Sequence, residues 1–423
     1  MNLSEKDKKN IWHPFTHQKD REDNIVIIKG EGVYLYDEQD KKYLDAISSW
    51  WVNLHGHNNP HINKKIVDQL SKIEHLLFSG FTHEPAIMLA EKLLQFLPAN
   101  QSKIFYSDNG STAVEVAIKM VLQYWNNNNK AKTIFLAFDG AYHGDTFGSM
   151  SVGARNVFNQ AFDKLLFDVV HLPLPSQANI EEIKASVKLI SKSNKVAGFI
   201  FEPLVQGAAG MRMYEAEYLD QIISLCNEMD ILTIADEVMT GFGRTGKFLA
   251  SDYLVNKPDI LCLSKGLTAG YMPLGVTSCA DKIFQAYVQD DKTKTFFHGH
   301  SYTANPLACA AAIAGMELME NEATWEKINL IHRMHTEFKN RISPHKKLID
   351  VRVMGTILAL ELNTQEKSHY LNAAADKISD YFIERGVILR PLGNVFYVLP
   401  PYVINREELE FIYKNIIDFL NNE

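Results

Sequence analysis

The chain has 423 residues, of which 46% are hydrophobic and 22% are charged, a balance typical of globular proteins. Because this length exceeds what one ordinary hydrophobic core holds, we expect a large and a smaller domain. Lys and Arg total 43 against 51 Asp and Glu, and the net charge of −8 argues against non-specific binding to nucleic acid or acidic membranes.

The expected partners are therefore small molecules or a second copy of the chain. The N-terminal residues are polar, without the apolar core of a signal peptide, and no apolar run is long enough to span a membrane. Four widely spaced cysteines without a C-x-x-C pair argue against a disulfide framework or a zinc site and favour a reducing compartment. These features predict a soluble, cytoplasmic protein.

In chain order, a strand-like segment at 24–45 comes first, and we expect it to pair with the C-terminal part of the chain. From about residue 111 to about residue 280, apolar runs alternate with helical patterns, which is typical of a mainly parallel sheet with helices on both faces. The predicted strands lie at 132–138, 196–203, 231–238, 260–265 and 275–280.

After residue 305 the pattern changes to two long helices followed by a strand, a helix, further strands and a closing helix. That order is typical of a separate α+β lobe. We therefore divide the chain into an N-terminal segment at 1–50 that joins the small domain, a large domain at 51–315 and a C-terminal small domain at 316–423.

A candidate anion site precedes the first helix of the central region. Gly110 and Ser111 stand just ahead of the helical pattern, and Thr112 and Glu115 have the spacing of a capping box. Free backbone N–H groups and the helix dipole at such a position bind anions, above all phosphate. An ordinary capped helix is the alternative interpretation.

Two apolar runs end on a charge. The run before Asp236 and the run before Lys265 are both typical of buried strands, where an unpaired charge is costly. Asp236 is therefore expected to face a cation, with a structural salt bridge as the alternative. Lys265 is expected where a strand leaves the core, which favours a chemical role.

The glycines Gly241, Gly243 and Gly246 match G-x-G-x-x-G, which could indicate a dinucleotide site. That site also needs a long helix opening at the third glycine and an acid about 20 residues later, and neither is predicted here. The glycines are therefore expected to shape a loop. A nicotinamide-dependent or non-catalytic cofactor-binding protein remains the alternative from a different class.

Glycine-rich loops carry further polar residues, and paired aromatic and basic residues occur elsewhere. His298 and His300 lack the neighbouring ligands that a metal site requires, so no metal is expected. Trp50 and Trp51 could wall a ligand pocket, although paired tryptophans are usually core residues. Arg390, fixed before a proline, could hold a carboxylate, and a surface arginine is the plainer alternative.

A phosphate site, an acid and a lysine at strand ends together fit one cofactor, pyridoxal phosphate. It needs an amine for covalent attachment, a carboxylate that keeps its pyridine nitrogen protonated, and an anion site for its phosphate. Lys265 can then carry a proton between substrate and cofactor carbons. We expect burial beside a cationic ring to lower the pKa of Lys265.

The sequence resembles the class III aminotransferases of fold type I along nearly its whole length. The motifs that carry the resemblance are "FIFEPLVQGAAGM", "ADEVMTGFGRTG", "PDILCLSKGLTAGYMPLG" and "GHSYTANPLACAAA". The resemblance implies an α/β fold with a large domain, whose mainly parallel sheet is flanked by helices, and a smaller α+β domain. It also implies pyridoxal phosphate and a homodimer with shared active sites.

The resemblance assigns roles residue by residue. Lys265 matches the lysine that binds the cofactor, Asp236 the partner of the pyridine nitrogen, and Tyr142 the aromatic ring over the cofactor. Gly110 and Ser111 match the phosphate site. The remaining matches concern substrate binding and the loop that reaches the neighbouring subunit's site: Phe15, Trp50, Asp145 and Arg390 for the substrate, and Gly299, His300 and Ser301 for the loop.

Within the family, the motifs "IWHPFT", "SSWW", "YSDNGSTAVEVAIKM", "AYHGDTFGSMSVG" and "RPLGNVFYVLPPY" resemble a branch of biotin synthesis. That resemblance implies amination of 8-amino-7-oxononanoate, whose carboxylate Arg390 would hold, with S-adenosylmethionine as the amino donor. Phe15, where a tyrosine is common, and the Gly299–Ser301 loop also occur in a branch that uses lysine as the donor. The further alternative is an aminotransferase acting on an ω-amino acid or a diamine.

Overall fold

The computed structural model describes residues 2–19, 22–364 and 368–422. The strands are β1 Ile27–Glu31, β2 Tyr34–Asp37, β3 Lys42–Asp45, β4 Gln101–Ser107, β5 Ile134–Phe138, β6 Val169–Leu172, β7 Val196–Phe201, β8 Val205–Gln206, β9 Arg212–Met213, β10 Leu232–Asp236, β11 Ile260–Leu263, β12 Gly275–Ala280, β13 Leu348–Met354, β14 Ile357–Leu362, β15 Val387–Ile388 and β16 Val395–Val398.

The α-helices are α1 Leu3–Asn10, α2 Ser48–Trp51, α3 Pro60–Leu70, α4 Glu84–Phe96, α5 Gly110–Asn127, α6 Phe147–Val152, α7 Ile180–Ser191, α8 Ala216–Glu228, α9 Asp281–Gln285, α10 Pro306–Met319, α11 Glu322–Ile342, α12 Ala374–Glu384 and α13 Arg406–Asn422. Short 3₁₀ helices cover Gln160–Leu165, Ala250–Tyr253, Lys265–Thr268 and Lys292–Lys294. Within the described residues, no helix combines the length and the apolar character needed to cross a membrane.

The large sheet has seven strands in the order β4-β12-β11-β10-β7-β5-β6. β11, β10, β7, β5 and β6 pair in parallel, and β12 is antiparallel to both of its neighbours. Side chains alternate between the two faces of the sheet, because successive Cβ atoms of a strand point in opposite directions. In β5, Phe135 and Ala137 join the core under α5, whereas Leu136 and Phe138 join the core that includes α8.

This architecture confirms the predicted mainly parallel sheet with helices on both faces. The five predicted strands are present, but three of them end earlier than expected, at Phe201, Asp236 and Leu263. Lys265 therefore lies past its strand, in a 3₁₀ turn. Two strands were missed, β4 with its polar residues and the short β6, because neither carries a long apolar run.

Smaller sheets surround the large one. β1, β2, β3 and β15 form one sheet, in which Leu44 of β3 lies beside Val387 of β15 in parallel register. β13, β14 and β16 form an antiparallel sheet, and β8 pairs with β9. The predicted domain boundaries at residues 50 and 315 fall inside α2 and α10 and stay a prediction.

Candidate active site

A cavity of about 430 Å³ opens at the edge of the large sheet where the parallel strands end. In open α/β sheets, ligands bind in the crevice outside the carboxyl ends of the strands. Five of the residues proposed from the sequence line this cavity together: Gly110, Ser111, Tyr142, Asp236 and Lys265.

Lys265 reaches the cavity from the turn after β11. Its backbone is left-handed, with φ of 47°, and Ser264 before it is fixed by donating a 2.7 Å hydrogen bond to the Leu274 carbonyl. The Lys265 ammonium lies 4.5 Å from the ring centroid of Trp51. Burial lowers the pKa of Lys265 to about 8, although the negative charges of Asp236 and Glu202 act in the opposite direction. A neutral amine is therefore accessible near physiological pH.

Asp236 is the last residue of β10, and its side chain is buried. One carboxylate oxygen lies 2.8 Å from Nδ1 of His143, and the other accepts a 3.1 Å hydrogen bond from the Val238 N–H. His143 is buried too, and its Nε2 has no partner among the described residues. Among the described residues, the side chain that faces the Asp236 carboxylate is thus the His143 imidazole.

Glu202, which was not predicted from the sequence, is a second carboxylic acid in the cavity beside Asp236. Its carboxylate accepts hydrogen bonds from the N–H groups of Tyr142 at 3.1 Å and of Gly207 at 2.9 Å. Burial raises its pKa to about 7, and the nearby His143 opposes this. A signal was present, because Glu202 ends an apolar run in the same way as Asp236 does.

The first turn of α5 forms the anion-binding end of the cavity. Among the described residues, no acceptor is bonded to the N–H groups of Gly110 or Ser111, so both stay available to a ligand. A Cβ on Gly110 would lie 2.7 Å from a methyl group of Val238, so only glycine keeps this space open. These features fit the phosphate of pyridoxal phosphate.

The cap of α5 differs from the expected one. Asn109 is the N-cap residue, and its side chain and that of Thr112 bond each other's backbone N–H groups. Glu115, which was expected to pair with Thr112, instead accepts a 2.6 Å hydrogen bond from the N–H of Gly148. The prediction was one turn out of register because Asn109 stands at a better capping position.

Tyr142 lies in the loop after β5, and burial, together with the adjacent Asp145, raises its pKa. Asp145 itself donates its backbone N–H to the Ser111 hydroxyl at 3.2 Å and does not line the cavity. Trp51 lines the cavity, whereas its neighbour Trp50 does not. Sequence reasoning could not separate the two tryptophans, because the backbone around them is irregular.

Trp50, Phe15 and Arg390 meet outside the cavity in one stack. The Arg390 guanidinium lies 4.2 Å from the Trp50 ring centroid and 5.6 Å from that of Phe15, and it donates a 2.9 Å hydrogen bond to the Tyr370 hydroxyl. Phe158 links this stack to the cavity, with its ring centroid 5.8 Å from Phe15 and 6.1 Å from Tyr142.

The loop of Gly299, His300 and Ser301 does not line the cavity of its own chain. His300 Nδ1 lies 3.0 Å from the carboxylate of Asp108, just before α5. The loop thus runs close to the anion-binding turn without entering it.

The G-x-G-x-x-G segment forms a loop, as expected, and is followed by the short 3₁₀ helix Ala250–Tyr253 rather than a long helix. The fully buried Arg244 within it donates hydrogen bonds to the carbonyl oxygens of Trp51, Asn53 and Pro400. The loop therefore ties segments from both ends of the chain to the cavity.

Comparisons with known proteins agree with this geometry. The family model described as aminotransferase class-III matches residues 16–420. An adenosylmethionine-8-amino-7-oxononanoate aminotransferase from Synechococcus elongatus is 45% identical over 97% of this chain and 98% of its own length. The protein of the same name from Geobacter sulfurreducens is 39% identical, over 97% of this chain and 95% of its own.

Two solved structures are similar over almost the whole chain. The adenosylmethionine-8-amino-7-oxononanoate aminotransferase from Methanocaldococcus jannaschii has a TM-score of 0.94 at 36% identity and covers 99% of this chain and 98% of its own. A pyridoxal-phosphate-bound amine transaminase from an uncultivated Pseudomonas species has a TM-score of 0.90 at 30% identity, covering 96% and 97%. The chain therefore belongs to the class III aminotransferases, pyridoxal-phosphate-dependent enzymes of fold type I.

Proposed function

We propose that the protein converts 8-amino-7-oxononanoate to 7,8-diaminononanoate in biotin synthesis, with S-adenosylmethionine as the amino donor, in two alternating half-reactions. The similarity to relatives that carry this enzyme's name extends over nearly the full length of both chains. The single structural observation that carries the proposal is the Arg390 stack, because a guanidinium beside aromatic rings suits a carboxylate on a long apolar chain.

The residues of the cavity suit the cofactor. The free N–H groups of Gly110 and Ser111 would hold its phosphate, Lys265 would bind it covalently, and the ring of Tyr142 would cover it. His300 and Ser301 of a neighbouring subunit would complete the phosphate site. When bound, pyridoxal phosphate supplies an electron-withdrawing ring that takes up the charge left when a proton leaves the substrate carbon.

The protein's own groups control the protons. Asp236 would hold the pyridine nitrogen of the bound cofactor in its protonated form, and His143 orients that carboxylate through the 2.8 Å contact. Lys265, with its lowered pKa, would accept a proton at Nζ from the substrate carbon and would return it to the other carbon involved in the transfer. Glu202 fixes the backbone N–H of Tyr142 and so positions the ring above the site.

Substrate recognition would lie around the stack. Arg390 would hold the carboxylate of 8-amino-7-oxononanoate, while Phe15 and Trp50 would line its chain. Asp145 and Gly299 of the partner subunit would contribute further polar contacts. S-adenosylmethionine carries its α-carboxylate close to the reacting amine, so a clamp for the far end of a long chain matters less to the donor.

Lysine is the second candidate donor, and Phe15 is the observation that favours it. Its ring offers no hydroxyl at the mouth of the site, where a tyrosine is common among proteins that use S-adenosylmethionine. The third candidate, transfer from an ω-amino acid or a diamine, is supported by similarity to an omega transaminase structure at 28% identity.

A donor panel tests the proposal. Purified protein is given 8-amino-7-oxononanoate with S-adenosylmethionine, lysine, ornithine or alanine, and formation of the diamine is measured. We expect turnover with S-adenosylmethionine only, and turnover with lysine alone would transfer the assignment to the second candidate. No product with any donor would contradict the proposed acceptor.

Arg390→Ala extends the same test. We expect kcat/KM for 8-amino-7-oxononanoate to fall by about ten- to a hundredfold, because a charge-assisted contact is lost, while the half-reaction with the donor changes little. The exposed Arg385, which stacks on Tyr381, gives the matched control in Arg385→Ala. Equal losses in both half-reactions would contradict a carboxylate clamp at Arg390.

We also propose that the active unit is a homodimer, that it works in the cytoplasm and that the chain divides into domains near residues 50 and 315. Exposed apolar side chains support the dimer: Leu77, Phe81, Phe297 and Tyr302 are each more than 60% exposed in the single chain. Four free, buried cysteines support a reducing compartment.

A further inference from the structure

A second cavity of about 520 Å³ lies beside the first, and Tyr142 lines both. The proposed reaction gives a role to Tyr142 but to none of the charged residues of this second cavity. Much of its wall is apolar, and its apolar side chains are those of Val157, Phe158, Leu371, Leu392 and Val395. Among the residues that the structure describes, the charged side chains in its wall are those of Arg212, Arg352 and Glu361.

Arg352 and Glu361 already satisfy each other. A guanidinium nitrogen of Arg352 lies 2.9 Å from Glu361, another lies 3.0 Å from Asp350, and Arg352 also donates to the carbonyl of Gly210 at 3.0 Å. Glu361 accepts a further hydrogen bond from the Ser368 hydroxyl. Neither charge is left for a ligand of the opposite sign.

Arg212 differs from this pair because its guanidinium forms no hydrogen bond or ion pair with any residue that the structure describes. It stands on β9 and is half-buried, and Gly140 leaves room for it, since a Cβ there would lie 3.1 Å from Arg212 Nη1. Burial and the neighbouring Arg352 lower its pKa, while Asp139 and Glu361 raise it without coming within ion-pair distance. A half-buried guanidinium that lines a cavity and has no partner among the described residues is suited to hold an anion.

We propose that the second cavity binds the carboxylate of an aliphatic acid, with Arg212 as the group that holds the carboxylate. A planar guanidinium matches a carboxylate with two parallel hydrogen bonds, and the apolar walls suit a hydrocarbon chain. A guanidinium also pairs with phosphate, so the apolar wall is the feature that favours a carboxylate on a hydrocarbon chain. Arg390 itself does not line this cavity, although its partner Tyr370 does, so the two acids would be held by different guanidinium groups in adjoining sites.

Calorimetric titration with heptanoate tests the inference on the cofactor-loaded protein. We expect two molecules bound per chain, and Arg212→Gln should weaken one of them by about tenfold or more while Arg390→Gln weakens the other. Arg212→Lys keeps the charge but loses the fork, so it should weaken the same site less. Heptanol, which lacks the charge, should not distinguish wild type from Arg212→Gln.

Three results would overturn the inference. The first is that one heptanoate binds per chain and that Arg390→Gln abolishes this binding. The second is that Arg212→Gln binds two heptanoate molecules with unchanged affinity. The third is that inorganic phosphate displaces heptanoate at the concentration at which heptanoate binds. If Arg212→Gln fails to fold, a crystal of the unchanged protein soaked in heptanoate decides, by density for a carboxylate at Arg212 or none. Because no turnover is measured, a negative result leaves the proposed reaction standing.

Discussion

At the scale of single residues, burial in the cavity brings the pKa values of an acid and a base closer to each other. Burial raises the pKa of Glu202 to about 7 and lowers that of Lys265 to about 8, so each changes charge near physiological pH. Groups with pKa values near the working pH are suited to proton transfer. The same desolvation also makes the charged form of each group costly to the fold.

Glu202 gives a stability prediction. The folded state binds its proton below about pH 7 and the unfolded state below about pH 4.5, so the stabilising contribution falls as pH rises through this range. We expect cofactor-free Glu202→Gln to become more stable relative to wild type between pH 5.5 and pH 8.5. The difference in the free energy of unfolding should change by on the order of 1–3 kcal/mol, and Tm values at the two pH values measure it. The exposed Glu217, changed to Gln, should give the same difference at both pH values. A constant difference for Glu202→Gln would contradict the raised pKa.

Lys265 gives a kinetic prediction. Only the neutral amine attacks an aldehyde, and the folded-state pKa of about 8 keeps Lys265 protonated below that pH. We expect the rate of covalent cofactor capture by the cofactor-free protein to rise with pH and to level off just above pH 8. Stopped-flow absorbance measures this rate. Lys265→Ala should show no capture, and the exposed-loop variant Lys247→Ala should behave as wild type. A rate still rising at pH 10 would refute the lowered pKa.

The sequence was informative for residues whose role is local. Asp236 and Lys265 could be singled out because a charge ends or follows an apolar run, and Glu202 carried the same signal. His143 could not be paired with Asp236, since 93 residues separate them and only the strand order brings them together. The position of Trp50 outside the cavity depends on a local kink that composition does not reveal.

At the scale of elements, the turn between β4 and α5 both caps the helix and leaves N–H groups free for a ligand. Asn109 and Thr112 satisfy some of the first N–H groups of the helix, and Gly110 and Ser111 keep theirs free for a ligand. The sequence pattern predicted a helix start here, but the predicted capping pair was Thr112 with Glu115 and the observed pair is Asn109 with Thr112. Both pairs have the spacing of a capping box, so spacing alone does not separate them. The long apolar strands were found, whereas the polar edge strand β4 carried no distinguishing pattern.

Gly110→Ala tests this element. A Cβ at this position would lie 2.7 Å from Val238, so the turn must shift, and we expect cofactor affinity to fall by about tenfold or more. Alanine favours helices over glycine, so a loss cannot come from helix propensity. Equilibrium binding of pyridoxal phosphate measures the effect. Gly315→Ala in α10, whose nearest contact would be an ordinary 3.4 Å, is the control, and equal affinities for both variants would refute the anion-binding turn.

At the scale of the whole molecule, the two ends of the chain close around the large sheet. β3 pairs with β15, and Arg244 bonds carbonyl groups near residues 51, 53 and 400. The sequence predicted the alternation of strands and helices, which local periodicity encodes. It could not give the strand order or the antiparallel β12, because both depend on pairings between distant segments.

The proposed dimer gives the last prediction. Residues 74–81 lie against the segment that follows the Gly299–Ser301 loop, since the Tyr302 ring is 5.0 Å from that of His75 and Asn305 bonds the Glu74 carbonyl. This surface exposes Phe81, and a charge there would be buried in a dimer without a partner.

We therefore expect Phe81→Asp to sediment as a monomer and to lose most of its transamination rate, because a shared site would be incomplete. Val255→Asp changes another exposed apolar residue, 84% exposed, and should leave sedimentation and rate unchanged. A fully active wild-type monomer would exclude shared sites altogether. A Phe81→Asp protein that stays dimeric and active would show that the interface lies on a different surface of the chain.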